Sequence, residues 1–217
     1  MYKTISVFFL KQMWNMRGSW FMLATLFLPM IIMSGGDLGA LVDIGDYKAE
    51  NVRIQKIAVE EQNHQEFVES MEKWLLTQKF SIGNQNISIP SGYAKEYAKA
   101  IASSKYPMIC AAVFKVESRF NPFAISKAGA MGPAQIMPMH VEELKESNII
   151  EEKNDLFMIQ NAVLAFDYMI EKKLNSKRGQ DDMKKALYLY SGETPGYVDK
   201  VSEELIKLQA HFVRGIY

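Results

Sequence analysis

From Phe67 to Phe212, apolar side chains recur three or four residues apart, and this periodicity restricts the chain to helices. Phe67, Val68, Met71, Trp74 and Leu75 share one helical face. Tyr93, Tyr97 and Ile101 mark a second, with Ala94, Ala98 and Ala102 beside them. Val198, Val201, Leu205, Leu208 and Phe212 form a third. Punctuation falls between such stripes. Pro107 suits the first turn of a helix running from Met108 to Ser118, and Asn121-Pro122 closes it. Ser126 to Gly132 reads as a structured loop. Asn154 or Asp155 can cap a helix to about Lys173, and Asp181 or Asp182 another through Tyr190. Pro195 opens the last. Ser81 to Pro90 carries turn formers and reads as a loop with a short extended stretch at Ile87 to Ile89. No set of alternating strands competes, so the expected class is mainly α.

The N-terminus differs. Trp20 to Met33 is an uncharged apolar run, WFMLATLFLPMIIM, preceded by Lys3, Lys11 and Arg17 and followed by Ser34, Gly35 and Gly36. A basic stretch, an apolar core and small residues are the layout of an export signal or membrane anchor. The run is shorter than the roughly 20 residues of a full span and contains Pro29. Either reading places the remainder outside the cytoplasm, because the basic flank lies on the N-terminal side. The chain balances 25 basic against 25 acidic residues. Three of the basic ones and no acid precede Gly36, so the exported part is mildly acidic. Nothing here suggests nucleic acid as a partner. A single cysteine, Cys110, excludes an internal disulfide, and His64, His140 and His211 lack metal-site spacing. No phosphate-cradling glycine motif is present, so neither metal nor cofactor is expected.

Chemistry concentrates around Glu117. It ends an apolar helix beside Val113, Phe114 and Val116. A carboxyl group in such surroundings, at the negative end of a helix, is biased towards its protonated form, as a general acid requires. Taken alone, the residue better suits an ordinary solvated glutamate at a helix end, because perturbed acids are the minority.

The stretch from Glu117 to Pro138, ESRFNPFAISKAGAMGPAQIMP, resembles the signature of the lytic transglycosylases related to goose-type lysozyme. The matching elements are Glu117-Ser118, Asn121-Pro122, Ala124, Ser126, Gly129-Ala130, Gly132, Gln135 and Met137-Pro138, in register and without a gap. Weaker matches follow in the right order: Asp155 with Ile159, then Leu189-Tyr190-Ser191-Gly192, then Tyr197-Val198 to Val201. Departures are Pro133-Ala134 before the glutamine and His140 after the Met-Pro pair, where the family commonly has other residues.

The resemblance implies a lysozyme-like fold and cleavage of the MurNAc–GlcNAc β-1,4 bond of peptidoglycan glycan strands. By its pattern Glu117 acts first as acid and then as base, and closure of a 1,6-anhydro ring consumes no water. Tyr190 resembles the tyrosine that hydrogen-bonds the catalytic carboxyl. Ser126 matches a residue that steadies the carboxyl or its loop. Gly129 and Gly132 match positions where the backbone nears the sugar or takes positive φ. Gln135 and Met137 match residues lining the groove. The layout expected is a signal or anchor at residues 1–36, a linker and helical stalk at 37–90, and a lysozyme-like transglycosylase domain at 91–217. The compartment implied is the periplasm, exported or held at the inner membrane. Small enzymes of this kind often serve a secretion, conjugation or pilus machine. Two rivals stand beside this reading: a goose-type muramidase using water, which needs a second carboxylate, and a non-catalytic wall-binding assembly factor.

Overall fold

The computed structural model describes residues 44–82 and 85–214, and the expected signal or anchor at residues 1–36 lies outside them. The chain divides into two compact units, residues 1–55 and 56–217. Residues 44–55, the described part of the first unit, are helical. Among the described residues no helix is long and apolar enough to cross a membrane.

Helix α1 (Ile44–Leu76) is followed by a hairpin of β1 (Lys79–Ile82) and β2 (Gln85–Ser88). The two strands pair antiparallel, with Lys79 opposite Ser88 and Ile82 opposite Gln85. This corrects the expectation of a loop over Ser81 to Pro90: the extended backbone starts at Lys79 and is paired. Helices α2 (Ser91–Ala102), α3 (Pro107–Glu117), α4 (Val141–Glu146), α5 (Ile159–Leu174), α6 (Met183–Tyr190) and α7 (Tyr197–Arg214) complete the described fold. Asp182 caps α6 by accepting the amides of Lys184 and Lys185. Asp155 caps no α-helix. It sits in a 3-10 turn (Lys153–Phe157) whose capping box it shares with Glu152, and α5 starts only at Ile159. The last helix likewise begins two residues after Pro195.

Helix α3 is apolar on every side: Cys110, Ala111, Ala112, Val113 and Phe114 are all fully buried. A helix without a polar face belongs at the centre of a core. It packs against α7, α2 and α5. The core is threaded by aromatic rings meeting edge to face. The order is Trp74, Phe120, Tyr97, Phe114, Phe166, Tyr190, with centroid separations between 5.5 Å and 6.3 Å. Such pairs are worth about 0.5–1.5 kcal/mol each beyond the area they bury. The chain of rings starts on α1 and ends on α6, so it ties together elements far apart in sequence.

Val68, Met71, Trp74, Leu75, Phe80 and Ile89 are buried within this same core. A domain starting at residue 91 would leave them out. The stalk expected over residues 37–90 is therefore, from Val68 onward, a wall of the helical domain. The physical reason is visible in α1, where every residue from 52 to 66 is exposed and the buried stripe begins with Val68.

Candidate functional site

Glu117 is the last residue of α3, and Ser118 is its C-cap. A central, buried helix is a rigid mount, and its final turn is where the side chain emerges from the core. Directly after it Arg119 and Phe120 take φ of 53° and 62°. Left-handed angles at non-glycine residues cost on the order of 1–2 kcal/mol each, and burial offsets the cost here. Phe120 is fully enclosed, and its carbonyl accepts the Tyr97 hydroxyl at 2.9 Å. The reversal turns the chain out to solvent at Arg119, between the buried Ser118 and Phe120, directly after the residue that carries the carboxyl.

The carboxyl is half-buried. Burial holds its pKa above the ordinary glutamate value, partly opposed by a hydrogen bond from Tyr197 that favours the ionised form. The Tyr197 hydroxyl donates to Glu117 Oε1 at 2.5 Å, across 80 residues of sequence. That phenol is itself raised well above its usual value by burial and by the nearby carboxylate, so it stays a donor at any physiological pH.

This is a correction to the expected role of Tyr190. Its hydroxyl donates to the carbonyl of Ala134 at 2.6 Å, and its ring packs edge-on against Phe166. Tyr190 lines the same cavity as Glu117, but its bond braces the loop that brings Ser126 and Gln135 to that cavity. The tyrosine on the carboxyl comes from the first turn of α7. In the sequence Tyr197 belongs to the closing segment Tyr197-Val198 to Val201, which marks no role for it. The available signal was that a tyrosine on an apolar helix face must find a partner for its hydroxyl.

The loop after α3 carries most of the remaining expected residues. The Ser126 hydroxyl oxygen accepts the Ala130 amide at 3.0 Å, and the Ser126 amide donates to the Ala130 carbonyl at 2.9 Å. Ser126 thus closes a tight loop. Met131 bridges to both Ile125 and Ile136. Gln135 has φ of 49°, and its Nε2 donates to the carbonyls of Gly132 and Ala124 at 2.9 Å and 3.2 Å. Gly129 and Gly132 have φ of 85° and 70°, the positive values expected. The close approach at Gly132, however, is to protein. A Cβ there would lie 1.9 Å from the Leu156 carbonyl oxygen, so this glycine lets the loop rest on the 3-10 turn. Gly129 and Gly132 line neither of the two cavities described next.

Two cavities open from Glu117. One, of about 670 Å³, is lined among others by Ser126, Gln135, Met137, His140 and Tyr190. The other, of about 730 Å³, runs past Ser118, Asn121, Phe123 and Ile125. Glu117, Ser126 and Gln135 border both, so the two cavities adjoin at the carboxyl and together are called the groove. Phe123 is 60% and Ile125 65% exposed on its rim. Exposed apolar side chains of this kind suit the flat faces of sugar rings, and the polar groups that share the lining suit their hydroxyls. Glu117 is the only carboxylate among the residues lining either cavity.

His140 lies in the first cavity, where burial lowers its pKa, and its Nδ1 is 3.7 Å from a Glu143 carboxylate oxygen. Glu143 also accepts from the Tyr168 hydroxyl and from Lys172, so this cluster is a structural knot on α4 and α5. Asp167, the buried acid of α5, accepts the Ser104 hydroxyl at 2.6 Å and the Lys105 amide at 2.9 Å. It holds the turn before α3 and lines neither cavity.

Residues 93–192 match the family model described as the Transglycosylase SLT domain. Every expected site residue, Glu117 to Tyr190, falls within that match, and Tyr197 falls outside it. No curated protein and no solved structure matches the chain.

Proposed function

Residues 93–192 are a transglycosylase SLT domain, and from that premise we propose that the chain is a peptidoglycan lytic transglycosylase acting through Glu117. Members of the family are lytic transglycosylases, and the domain implies peptidoglycan as the substrate class. The observation that carries the finer reading is the solitary carboxylate: one glutamic acid, its pKa raised by burial, stands where two cavities meet, and no second acid is among the described residues that line them. An enzyme that activates water across a cleft needs a partner acid. A single acid that first donates and then accepts a proton does not.

Glu117, protonated, delivers its proton to the glycosidic oxygen between MurNAc and GlcNAc. The N-acetyl group of the muramyl residue steadies the cationic carbon, replacing the missing carboxylate. Glu117, now ionised and stabilised by the Tyr197 hydroxyl, takes the proton of the C6 hydroxyl. That oxygen closes on the anomeric carbon to give the 1,6-anhydro ring. Tyr197 serves the second half more than the first, because its hydrogen bond favours the charged carboxylate. Ser126, Gln135 and Tyr190 line the cavity beside Glu117. Met137, 36% exposed, offers an apolar contact to a sugar.

Mass spectrometry of the products tests this directly. Muropeptides released by the full-length protein carry anhydro ends, one water lighter than reducing ends. Reducing ends alone would establish a muramidase instead. No release from purified sacculi, with the strands still bound, would favour an assembly factor. The same reading locates the domain on the outer side of the inner membrane, exported or anchored by residues 1–36, where a secretion, conjugation or pilus machine would need the wall opened. Fractionation with intact mass measurement tests that placement, and a full-length cytosolic protein would sink it.

A further inference from the structure

A third cavity, of about 530 Å³, adjoins the groove, and its charged walls come largely from outside the SLT match. Lys79 stands on the hairpin, Lys115 and Arg119 at the end of α3, and Lys200 on α7, where Glu203 and Glu204 also face the cavity. Val116 and Arg119 border both this cavity and the groove beside Glu117, so the two spaces adjoin. Four cations face two acids. One of the acids, Glu204, is already paired with Lys207 at 2.7 Å. The balance is cationic in a chain whose net charge is zero.

We propose that this cavity binds the acidic peptide stem carried by the muramyl residues of the glycan strand. The inference rests on the peptidoglycan reading above and adds a specificity to it. The stem hangs from the lactyl ether of muramic acid, so it must leave the groove sideways within one sugar of the cleaved bond. It carries several carboxylates and, where it contains a diamino acid, an ammonium group. A wall on which cations outnumber acids is a complement to that pattern. Lys115 adds to the case. It is half-buried, and desolvation depresses its pKa, a cost that Glu204 offsets only in part and that an incoming carboxylate would relieve further. The size is within the usual range for a ligand cavity, roughly 300–1,000 Å³. The hairpin also gains a use. Residues 79–88 lie before the matched domain and place Lys79 and Asn86 on the wall of this space.

The test compares turnover of glycan strands carrying their peptides with the same strands stripped by an amidase, using the full-length chain at about 50 mM salt. The wild type is expected to favour the peptide-bearing strands about tenfold in kcat/KM, which is ~1.4 kcal/mol. That ratio is expected to fall to about one in the Lys79→Gln/Lys200→Gln double variant and to survive in Lys79→Arg/Lys200→Arg. It also shrinks as salt rises towards about 0.5 M, because exposed charges are screened. A wild-type ratio near one, or a ratio untouched by the glutamine pair, overturns the proposal. A second readout separates this failure from failure of the enzymatic reading. The soluble tripeptide L-Ala–γ-D-Glu–meso-diaminopimelate is titrated into the full-length chain and followed by calorimetry. Binding that is lost in the glutamine pair, without cleavage of any glycan, would refute the lytic reading and leave the peptide site standing. Cleavage without tripeptide binding or strand preference would refute the peptide site alone.

Discussion

The stretch from Ser118 to Met137 and the stretch from Phe67 to Ile89 both border the same core, and they hold their side chains by different means. The first contains no α-helix. Its shape comes from positive φ at Arg119, Phe120, Gly129, Gly132 and Gln135, each locked by a neighbouring amide, carbonyl or buried ring. The second has little local specification. Its hold on the domain comes from Val68, Met71, Trp74, Leu75, Phe80 and Ile89, buried side chains spread over more than twenty residues. A groove wall written in local backbone geometry must be a contiguous motif. A supporting wall written in burial can be any apolar stripe of the right period. Substitutions in the first are therefore expected to alter chemistry, and substitutions in the second to alter stability.

The sharpest test of that division is Glu117→Gln. The amide keeps the size of the carboxyl and can still accept the Tyr197 hydroxyl, so the fold is expected to persist. Loss of a positioned acid removes on the order of 10²–10⁴ in rate, and more where one group serves two proton transfers. Release of muropeptides from sacculi measures it, and near-normal release would remove Glu117 from the mechanism.

Trp74→Ala examines the other side. Trp74 is 4% exposed and begins the aromatic chain through Phe120. Truncating a buried aromatic residue costs about 3–5 kcal/mol. The expected result is a lowered urea midpoint, with kcat near normal in the fraction that remains folded. A kcat deficit larger than the unfolded fraction explains would show that Trp74 acts on the groove through Phe120, and the two regions would no longer be separable.

Two tyrosines refine the comparison within the site. Tyr197→Phe removes the 2.5 Å hydrogen bond that the phenol donates to the Glu117 carboxyl. A hydrogen bond to a group that becomes charged is worth roughly 1–3 kcal/mol, so kcat is expected to fall about 5- to 100-fold. The bond lowers the Glu117 pKa, and its removal raises it. Activity needs the protonated acid at the start, so the alkaline fall in rate should move to higher pH in this variant. A lower rate with an unmoved pH profile would mean that the phenol acts by packing alone. Tyr190→Phe loses a bond to the Ala134 carbonyl instead. A neutral bond contributes about 0.5–1.5 kcal/mol, giving a smaller loss and no shift of the profile. If Tyr190→Phe moved the profile and Tyr197→Phe did not, the expected assignment to Tyr190 would stand after all.

These residues show what was legible in the sequence and what was not. Glu117, Ser126, Gln135 and Met137 could be found because they share one short loop with fixed spacing, and the structure brings all four to one groove. The helix faces were legible too, since burial imposes its period on the sequence. Tyr197 was not, because its partner is 80 residues away and no local pattern records which of two tyrosines reaches a carboxyl. The hairpin was missed for a different reason. Gly83-Asn84 is a two-residue hairpin signal, but the flanking strands have four residues each, and the second is exposed throughout, so no alternation of buried and exposed side chains marked it. The role of Gly132 was half-legible: its positive φ was expected, while the surface it must approach, the Leu156 carbonyl, lies on an element the motif does not include.

The smallest expected effect concerns stability at the catalytic residue itself. The folded state raises the Glu117 pKa above the value of an exposed glutamate, so it binds its proton more tightly than the unfolded chain does. Between the unfolded and the folded pKa the unfolded state is the more ionised, and stability falls as pH rises through that window. Above it the penalty is constant. Below it both states are protonated and the penalty vanishes. Glu117→Gln carries no such proton, so at neutral pH it should melt above the wild type, and the difference should close as pH drops below about 4. Thermal unfolding of the two proteins across that range measures it. An equal or lower melting temperature for the variant at pH 7 would mean that the Tyr197 hydrogen bond outweighs desolvation, and that the carboxyl is held for packing and not strained for proton transfer.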